Sequence, residues 1–342
     1  MNLLSVEDFS VHYRTRRGPV RAVDGAVLAV PAGSITGLVG ESGCGKSTLA
    51  RAIMGVLPDA ARVAGGRLMF QGADLVPMPE RARRRLRWRR MAFVPQTAMS
   101  ALDPVQRLRG HFTEVLCERG GMSRGDAVGR AEELFDLVGL APERLADYPH
   151  QFSGGMRQRA SIALALALNP ALVIADEPVT ALDVIVQRQV LDVLRDLQAR
   201  LSLSMILVTH DMSVVAYTCD RVAVMYAGQV VESGSVRAVL ERPLHPYSMG
   251  LTHAFPDLAG SEAALVPIEG SPPSLLDPPP GCRFAARCPF AEARCGERSP
   301  PLVEADGHAV ACWRADEAAD LRSLAAQPAV WAAMAASSLR GA

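Results

Sequence analysis

Gly40-Glu41-Ser42-Gly43-Cys44-Gly45-Lys46-Ser47-Thr48 fits G-x-x-x-x-G-K-[ST], the pattern of a phosphate-binding loop. The flanks agree with it. Ile35-Thr36-Gly37-Leu38-Val39 before it is short, mostly apolar and partly β-branched, as a buried strand is. Leu49, Ala50, Ile53, Met54 and Leu57 after it recur at helical spacing, and Pro58 ends the run. A strand–loop–helix unit aims consecutive backbone N–H groups and the positive end of a helix dipole at one spot. Gly40, Gly43 and Gly45 let the backbone bend there without a Cβ clash. Lys46 is expected to reach the β- and γ-phosphates of a nucleotide, and the Ser47 hydroxyl to bind Mg²⁺.

Outward from the loop, the chain has 342 residues, which points to two domains or to one large domain with an appendage. Lys+Arg and Asp+Glu are both 36, so no global basic field draws it to nucleic acid. The longest apolar stretch, 160–175, is broken by Asn169-Pro170, and no run of membrane-spanning length is expected. Glu7 and Asp8 follow soon after the start and no signal-peptide pattern is present, so a cytosolic protein with reduced cysteines is expected. Three of the seven cysteines are scattered and four fall between Cys282 and Cys312.

Short strands are expected over residues 1 to about 34, with Tyr13 among them, either packed on a sheet edge or stacked on an adenine ring. Gly65-Gly66 reads as a turn. The run Arg81 to Arg90, with seven arginines around Trp88, reads as a solvated helix face starting at Pro79-Glu80. Met91 to Val94 is the next strand, followed by Gln96, and residues 97 to about 168 read as a helical insert. Inside that insert, Ser153-Gly154-Gly155-Met156 is a second anion site, with Ser153 as helix cap and two glycines leaving N–H groups open.

Ala171 to Ala175 is a buried strand that delivers Asp176 and Glu177 at its C-terminal end, where open α/β sheets bind ligands. Asp176 suits a Mg²⁺ ligand, and Glu177 a carboxylate that polarises water. Asp183 leads into a helix. Met205 to Val208 is another strand, and it ends at His210, a candidate γ-phosphate contact. Val222 to Tyr226 and Gln229 to Val231 read as a hairpin around Ala227-Gly228. His245-Pro246-Tyr247 opens a short helix, Pro267 to Gly281 is a proline-rich linker, and the tail after Arg314 is Ala-rich and helix-prone.

These residues, in this order, resemble the nucleotide-binding subunit of an ABC transporter over nearly the whole chain. The Phe152–Arg159 segment, His245-Pro246-Tyr247 and the proline-rich, cysteine-bearing tail resemble the ATPases of oligopeptide and dipeptide importers; the related nickel importers share these features. The resemblance implies a RecA-like α/β P-loop core, an antiparallel β subdomain holding Tyr13, and a helical subdomain over about 97–168. It divides the chain into a nucleotide-binding domain, 1–242, and a C-terminal extension, 243–342.

It further implies ATP and Mg²⁺ as ligands. Gly40 to Thr48, Tyr13, Gln96, Ser153, Gly154, Gly155, Asp183 and His210 are the implied ATP contacts. Ser47, Gln96 and Asp176 are the implied Mg²⁺ contacts, and Glu177, His210 and Gln96 the catalytic group. The implied partners are a second, non-identical ATP-binding subunit, two membrane permeases and an extracytoplasmic substrate-binding protein, with no nucleic acid. The implied place is peripheral, on the cytoplasmic face of the cell membrane. The implied activity is ATP hydrolysis that powers peptide import; a nickel or other small-solute importer is the alternative.

A soluble ABC ATPase acting on DNA would need sustained heptads, and a translation-type ABC factor two P-loops; neither is found in the sequence. A soluble ABC ATPase with a metal-bearing regulatory module stays open. Cys282, Cys288, Cys295 and Cys312 are separated by five, six and sixteen residues. Four thiols so close in a reducing compartment favour a metal over disulfides, and a structural zinc site more often begins with a C-x₂₋₄-C knuckle. Cluster, zinc and empty thiols remain as alternatives; the resemblance implies a 4Fe-4S iron–sulfur cluster, with His308 outside the ligand set.

Overall fold

The computed structural model of the chain describes residues 2–96, 102–253 and 268–331. The expected starts of the helical insert at 97 and of the linker at Pro267, and the end of the Ala-rich tail, lie outside these residues. Two sheets carry the fold. The larger has eight strands in the order β11-β12-β10-β9-β3-β8-β7-β6, and the smaller has four in the order β2-β1-β4-β5.

The core of the larger sheet is parallel. It consists of β3 (Ile35–Val39), β6 (Met91–Val94), β7 (Leu172–Asp176), β8 (Ser204–Thr209) and β9 (Arg221–Tyr226). All residues of β3, β7 and β8 are buried, which is why these segments read as near-continuous apolar runs. Each fully buried Val, Leu or Ile contributes about 1.5–3 kcal/mol. The strand β3 lies between β8 and β9, although the chain runs from β3 to the far side of the sheet. The phosphate-binding loop therefore sits at a switch in strand order, where open sheets form a crevice.

The smaller sheet is antiparallel and formed by β1 (Asn2–Thr15), β2 (Gly18–Pro31), β4 (Ala61–Phe70) and β5 (Ala73–Asp74). Gly65-Gly66, expected as a turn, lies inside β4. The pairing of β1 with β4 shifts register between Glu7 and Ser10, and a Cβ on Gly66 would stand 2.3 Å from the Asp8 carbonyl oxygen. That close approach is what requires glycine there.

Helix α1 (Lys46–Met54) follows the loop, and α2 (Glu80–Leu86) carries the basic run. No residue of α2 is buried, as expected of a solvated helix. Two arginines of the run have a structural use: Arg83 Nη2 donates to the Ala52 carbonyl and Arg87 Nη1 to that of Gly55, at the C-terminal end of α1.

The helical segment contains α3 (Leu108–Glu114), α4 (Arg124–Leu137) and α5 (Gly154–Ala165), joined by a π-helical turn at Val115–Arg119 and short 3₁₀ turns. Its last helix ends at Ala165, one turn short of the expected Leu168. Then come α6 (Val184–Leu201) and α7 (Met212–Thr218). The β9–β10 hairpin forms as expected, β10 being Gln229–Ser235, with Ala227 and Gly228 both at positive φ.

Helices α8 (Val236–Glu241) and α9 (Pro246–His253) follow. The C-terminal residues then return to the larger sheet. Strands β11 (Val303–Ala305) and β12 (His308–Val310) extend it beyond β10, with α10 (Ala293–Glu297) before them and α11 (Ala318–Ala325) after. One apolar cluster joins Val222, Tyr226 and Val231 of the sheet to Tyr247, Phe284, Phe290 and Trp331. Among the described residues no helix is long and apolar enough to cross a membrane.

Candidate nucleotide site

An open cavity of about 620 Å³ lies at the carboxyl ends of the parallel strands. Glu41, Ser42, Gly43, Gly45, Lys46, Ser47, Thr48, Gln96, Glu177 and His210 line it, with Ala22 and Leu251. Most expected nucleotide contacts are thus brought together by the fold. Gly40, Gly43 and Gly45 have φ of 154°, 79° and 107°. A Cβ on Gly45 would stand 2.1 Å from the Ala22 carbonyl oxygen, so the loop's path is closed to larger residues there.

Lys46 is 5 % exposed, and its Nζ donates to the carbonyl oxygens of Gly40 at 2.7 Å and Glu41 at 2.9 Å. The ammonium is held inside the loop, beside the space that phosphates would occupy. Cys44 is buried, with its Sγ 3.6 Å from Lys46 Nζ, and does not line the cavity. Burial raises its pKa, against the pull of Lys46. Tyr13 stands on β1 with its hydroxyl 3.3 Å from that of Thr48, at the base of α1.

Ser47 Oγ donates to Asp176 Oδ1 at 2.9 Å. Burial raises the Asp176 carboxyl above the usual range, while the Ser47 bond, Arg51 and Lys46 oppose the rise. A hydroxyl and a carboxylate side by side are the hard oxygen donors that suit Mg²⁺. Gln96 is engaged elsewhere: its Nε2 donates to Glu177 Oε2 at 2.8 Å.

Glu177 is the hub of the cavity wall. Besides Gln96 it accepts from Thr180 Oγ1 at 3.0 Å, and His210 Nδ1 lies 3.3 Å from its other oxygen. Its φ is +48°, and its N–H donates to Val208 at the end of β8. A non-glycine residue in this region is strained, and such residues cluster at functional sites.

Ser153, Gly154, Gly155 and Asp183 do not line this cavity. Ser153 caps α5 by accepting from the Met156 N–H at 3.3 Å, and Asp183 caps α6 by accepting from that of Val186 at 2.9 Å. The two helix starts touch: a Cβ on Gly155 would stand 2.2 Å from Val186 Cγ1. Val184 and Ile185, in the first turn of α6, are 81 % and 73 % exposed. Two large apolar side chains beside an open helix N-terminus form a surface with no partner among the described residues.

The iron–sulfur and metal-binding expectation is corrected. Cys282, Cys288, Cys295 and Cys312 do approach one another, around a cavity of about 20 Å³ shared with Phe284 and Phe290. That space is about one water's worth, too small for a four-iron cluster. Burial raises the thiol pKa of Cys282 and Cys288, and pushes that of Cys312 up to about 11. Among the described residues no group of three or more His, Cys, Asp or Glu side chains is arranged to hold a metal ion. His308 bonds to Glu232, at 2.7 Å.

Several contacts around the site carried no signal in the sequence. Arg287 forms a two-pronged pair with Glu41 of the loop, and Tyr247 accepts from the Glu41 N–H at 3.0 Å. Arg283 pairs with Asp24 and donates to the Ala227 carbonyl. Glu232 is fully buried and accepts from the N–H groups of Leu244 and His245 as well as from His308.

Comparison with known proteins agrees with this geometry. Residues 23–180 match the ABC transporter family, and residues 231–295 match the oligopeptide/dipeptide transporter C-terminal region. The chain is 45 % identical to a probable peptide ABC transporter ATP-binding protein of Sinorhizobium fredii, over 93 % of this chain and 97 % of that one. It is 42 % identical to the dipeptide transport ATP-binding protein DppD of Bacillus subtilis, over 93 % and 96 %. A dimeric ATP-binding cassette solved in a post-hydrolysis state with ADP and Pi shares the fold, with a TM-score of 0.62 and 24 % identity over 68 % of this chain and 99 % of that one. The chain therefore belongs to the ATP-binding proteins of ABC transporters, in the branch that bears the oligopeptide/dipeptide transporter C-terminal region.

Proposed function

We propose that this chain is the ATP-hydrolysing subunit that powers peptide import, working beneath two membrane permeases that receive peptide from an extracytoplasmic binding protein. Supporting the substrate class are the peptide and dipeptide relatives just described and the match of residues 231–295 to the transporter C-terminal region. In this reading residues 1–242 bind nucleotide, 243–342 form the extension, and the protein sits on the cytoplasmic face of the membrane.

The observation that carries the mechanism is the separation of two anion sites. Lys46 and the loop line one cavity, while Ser153 caps, and Gly154 and Gly155 begin, a helix outside it. In this reading the phosphate loop of one subunit and the Ser153 helix of a second, non-identical ATP-binding subunit enclose one ATP between them. The exposed Val184 and Ile185 and the Asp183 cap lie on the face that would be covered.

Within the site, Lys46 turns from the Gly40 and Glu41 carbonyls to the β- and γ-phosphates, and the loop N–H groups hold the remaining oxygens. Tyr13 offers its ring to the adenine. Ser47 and Asp176 would hold Mg²⁺ with Gln96 nearby; when bound, the ion neutralises charge on the phosphate oxygens. Glu177 takes the proton of the attacking water, and His210, bonded to Glu177, contacts the γ-phosphate. Gln96 links Glu177 to the start of the helical segment, so loss of the γ-phosphate can be felt where a permease docks.

The test is ATP-dependent uptake of labelled peptide by proteoliposomes holding this chain, its partner ATPase and the permeases, with the binding protein outside. Uptake that requires this chain supports the reading. ATP turnover without peptide uptake, together with uptake of nickel or another small solute, would move the substrate to that class.

A further inference from the structure

Glu41 places a carboxylate inside a loop built to receive a polyanion, and the C-terminal extension neutralises it. Arg287 is buried, at 7 % exposure, and its Nη1 and Nη2 donate to Glu41 Oε2 and Oε1 at 2.8 and 2.9 Å. Its remaining donors are also used: Nη1 on the Tyr226 hydroxyl at 3.1 Å, Nη2 on the Ile268 carbonyl at 2.9 Å, and Nε on the Glu269 carbonyl at 2.8 Å. Five N–H donors meet five acceptors, so the guanidinium has one orientation.

The same Glu41 is held at two further atoms. Its N–H donates to the Tyr247 hydroxyl at 3.0 Å, and its carbonyl accepts from Lys46 Nζ at 2.9 Å. Tyr247 is itself fixed, fully buried against Tyr226 and Phe284 with ring centroids 4.6 and 5.3 Å away. These contacts bridge 246 residues for Arg287 and 206 for Tyr247.

We propose that Arg287 and Tyr247 are positioning residues for the phosphate loop: the extension holds Glu41 so that the loop is preset, in shape and in charge, for a nucleoside triphosphate. The inference rests on the reading of this cavity as the ATP site. Two physical effects support it. A loop whose glycines sit at positive φ loses much conformational entropy when it closes on phosphate, and fixing it beforehand removes that cost from binding. An unpaired Glu41 carboxylate would repel the incoming phosphates, and pairing with Arg287 cancels that repulsion.

The test measures the Kd for Mg-ATP of the full chain by calorimetry, with the folding midpoint of each variant taken without nucleotide. Arg287→Ala should weaken binding about tenfold, because it frees the loop and exposes the carboxylate. Arg287→Ala with Glu41→Gln should regain at least about threefold, since the repelling charge is gone; a merely structural arginine would show no such rescue. Tyr247→Phe, which leaves the apolar cluster filled, should weaken binding about threefold. Arg322→Ala, which removes only a tail contact to the Pro243 carbonyl, should leave the Kd unchanged.

Arg287→Ala binding within about twofold of wild type, or a double variant as weak as the single one, would overturn the inference. If Arg287→Ala does not fold, Tyr247→Phe decides: an unchanged Kd overturns it. Wild-type chain that binds no Mg-ATP would instead refute the site itself.

Discussion

Gln96 and Glu177, 81 residues apart, meet at 2.8 Å, amide nitrogen to carboxylate oxygen. The contact joins the residues that follow β6 and β7, two neighbouring parallel strands. Its consequence is mechanical as well as chemical. The carboxylate proposed to activate water is hydrogen-bonded to the residue that begins the run to the helical segment, so a shift of one changes the setting of the other.

Lys46→Ala should weaken nucleotide binding. Lys46 supplies the one buried ammonium of the cavity wall among the described residues, and a charge-assisted contact of this kind contributes about 1.5–3 kcal/mol. The expected rise in Kd is about 10- to 150-fold, read by calorimetry with Mg-ATP. Lys46 Nζ also satisfies the Gly40 and Glu41 carbonyls, so the folding midpoint is measured alongside to separate lost binding from lost stability.

Ser153→Arg should leave ATP binding by the isolated subunit intact, since Ser153 is outside the cavity, and abolish hydrolysis by the assembled pair. The arginine removes the cap and fills the open helix start. Wild-type turnover should depend on subunit concentration, checked by dilution. An isolated monomer hydrolysing at the rate of the full complex would refute the two-subunit site.

His245 predicts an acid-sensitive fold. Burial lowers its pKa from 6.5 to about 4, although Glu232 nearby opposes the shift, and its Nδ1 accepts the Tyr247 N–H. The unfolded chain takes up a proton near pH 6.5 and the folded one does not, so this stabilisation is present above pH 6.5 and lost as pH falls toward 4. Between pH 7 and 5 the loss is about 2 kcal/mol. Denaturant titrations at both pH values should show it in wild type, and His245→Asn, whose amide does not titrate, should reduce the slope.

Much of the cavity proposed as the nucleotide site was legible because most of the residues that line it are local in sequence. Gly40 to Thr48 must be contiguous for consecutive N–H groups to converge, and Asp176 and Glu177 must end a strand to reach them. What was not legible is what depends on distant contacts. Nothing around Arg287 or Tyr247 in the sequence announces Glu41 as their partner. Gly66 read as a turn because glycine marks both turns and bulges, and only the Asp8 backbone beside it decides between them. The four cysteines misled for a related reason. Their number and spacing are compatible with a cluster, but apolar neighbours such as Phe284 and Phe290 leave a space of only about 20 Å³ between them.

The proposed mechanism depends most directly on Glu177. Its measurement is single-turnover ATP hydrolysis by the assembled complex, wild type against Glu177→Gln, with ATP binding measured in parallel. The amide keeps the shape of the side chain and its contact with Gln96 but removes the proton acceptor. A Glu177 base predicts ATP affinity close to wild type, a closed dimer that persists with ATP bound, and a hydrolysis rate lower by about 10²–10⁴-fold. Hydrolysis near the wild-type rate in Glu177→Gln would contradict it.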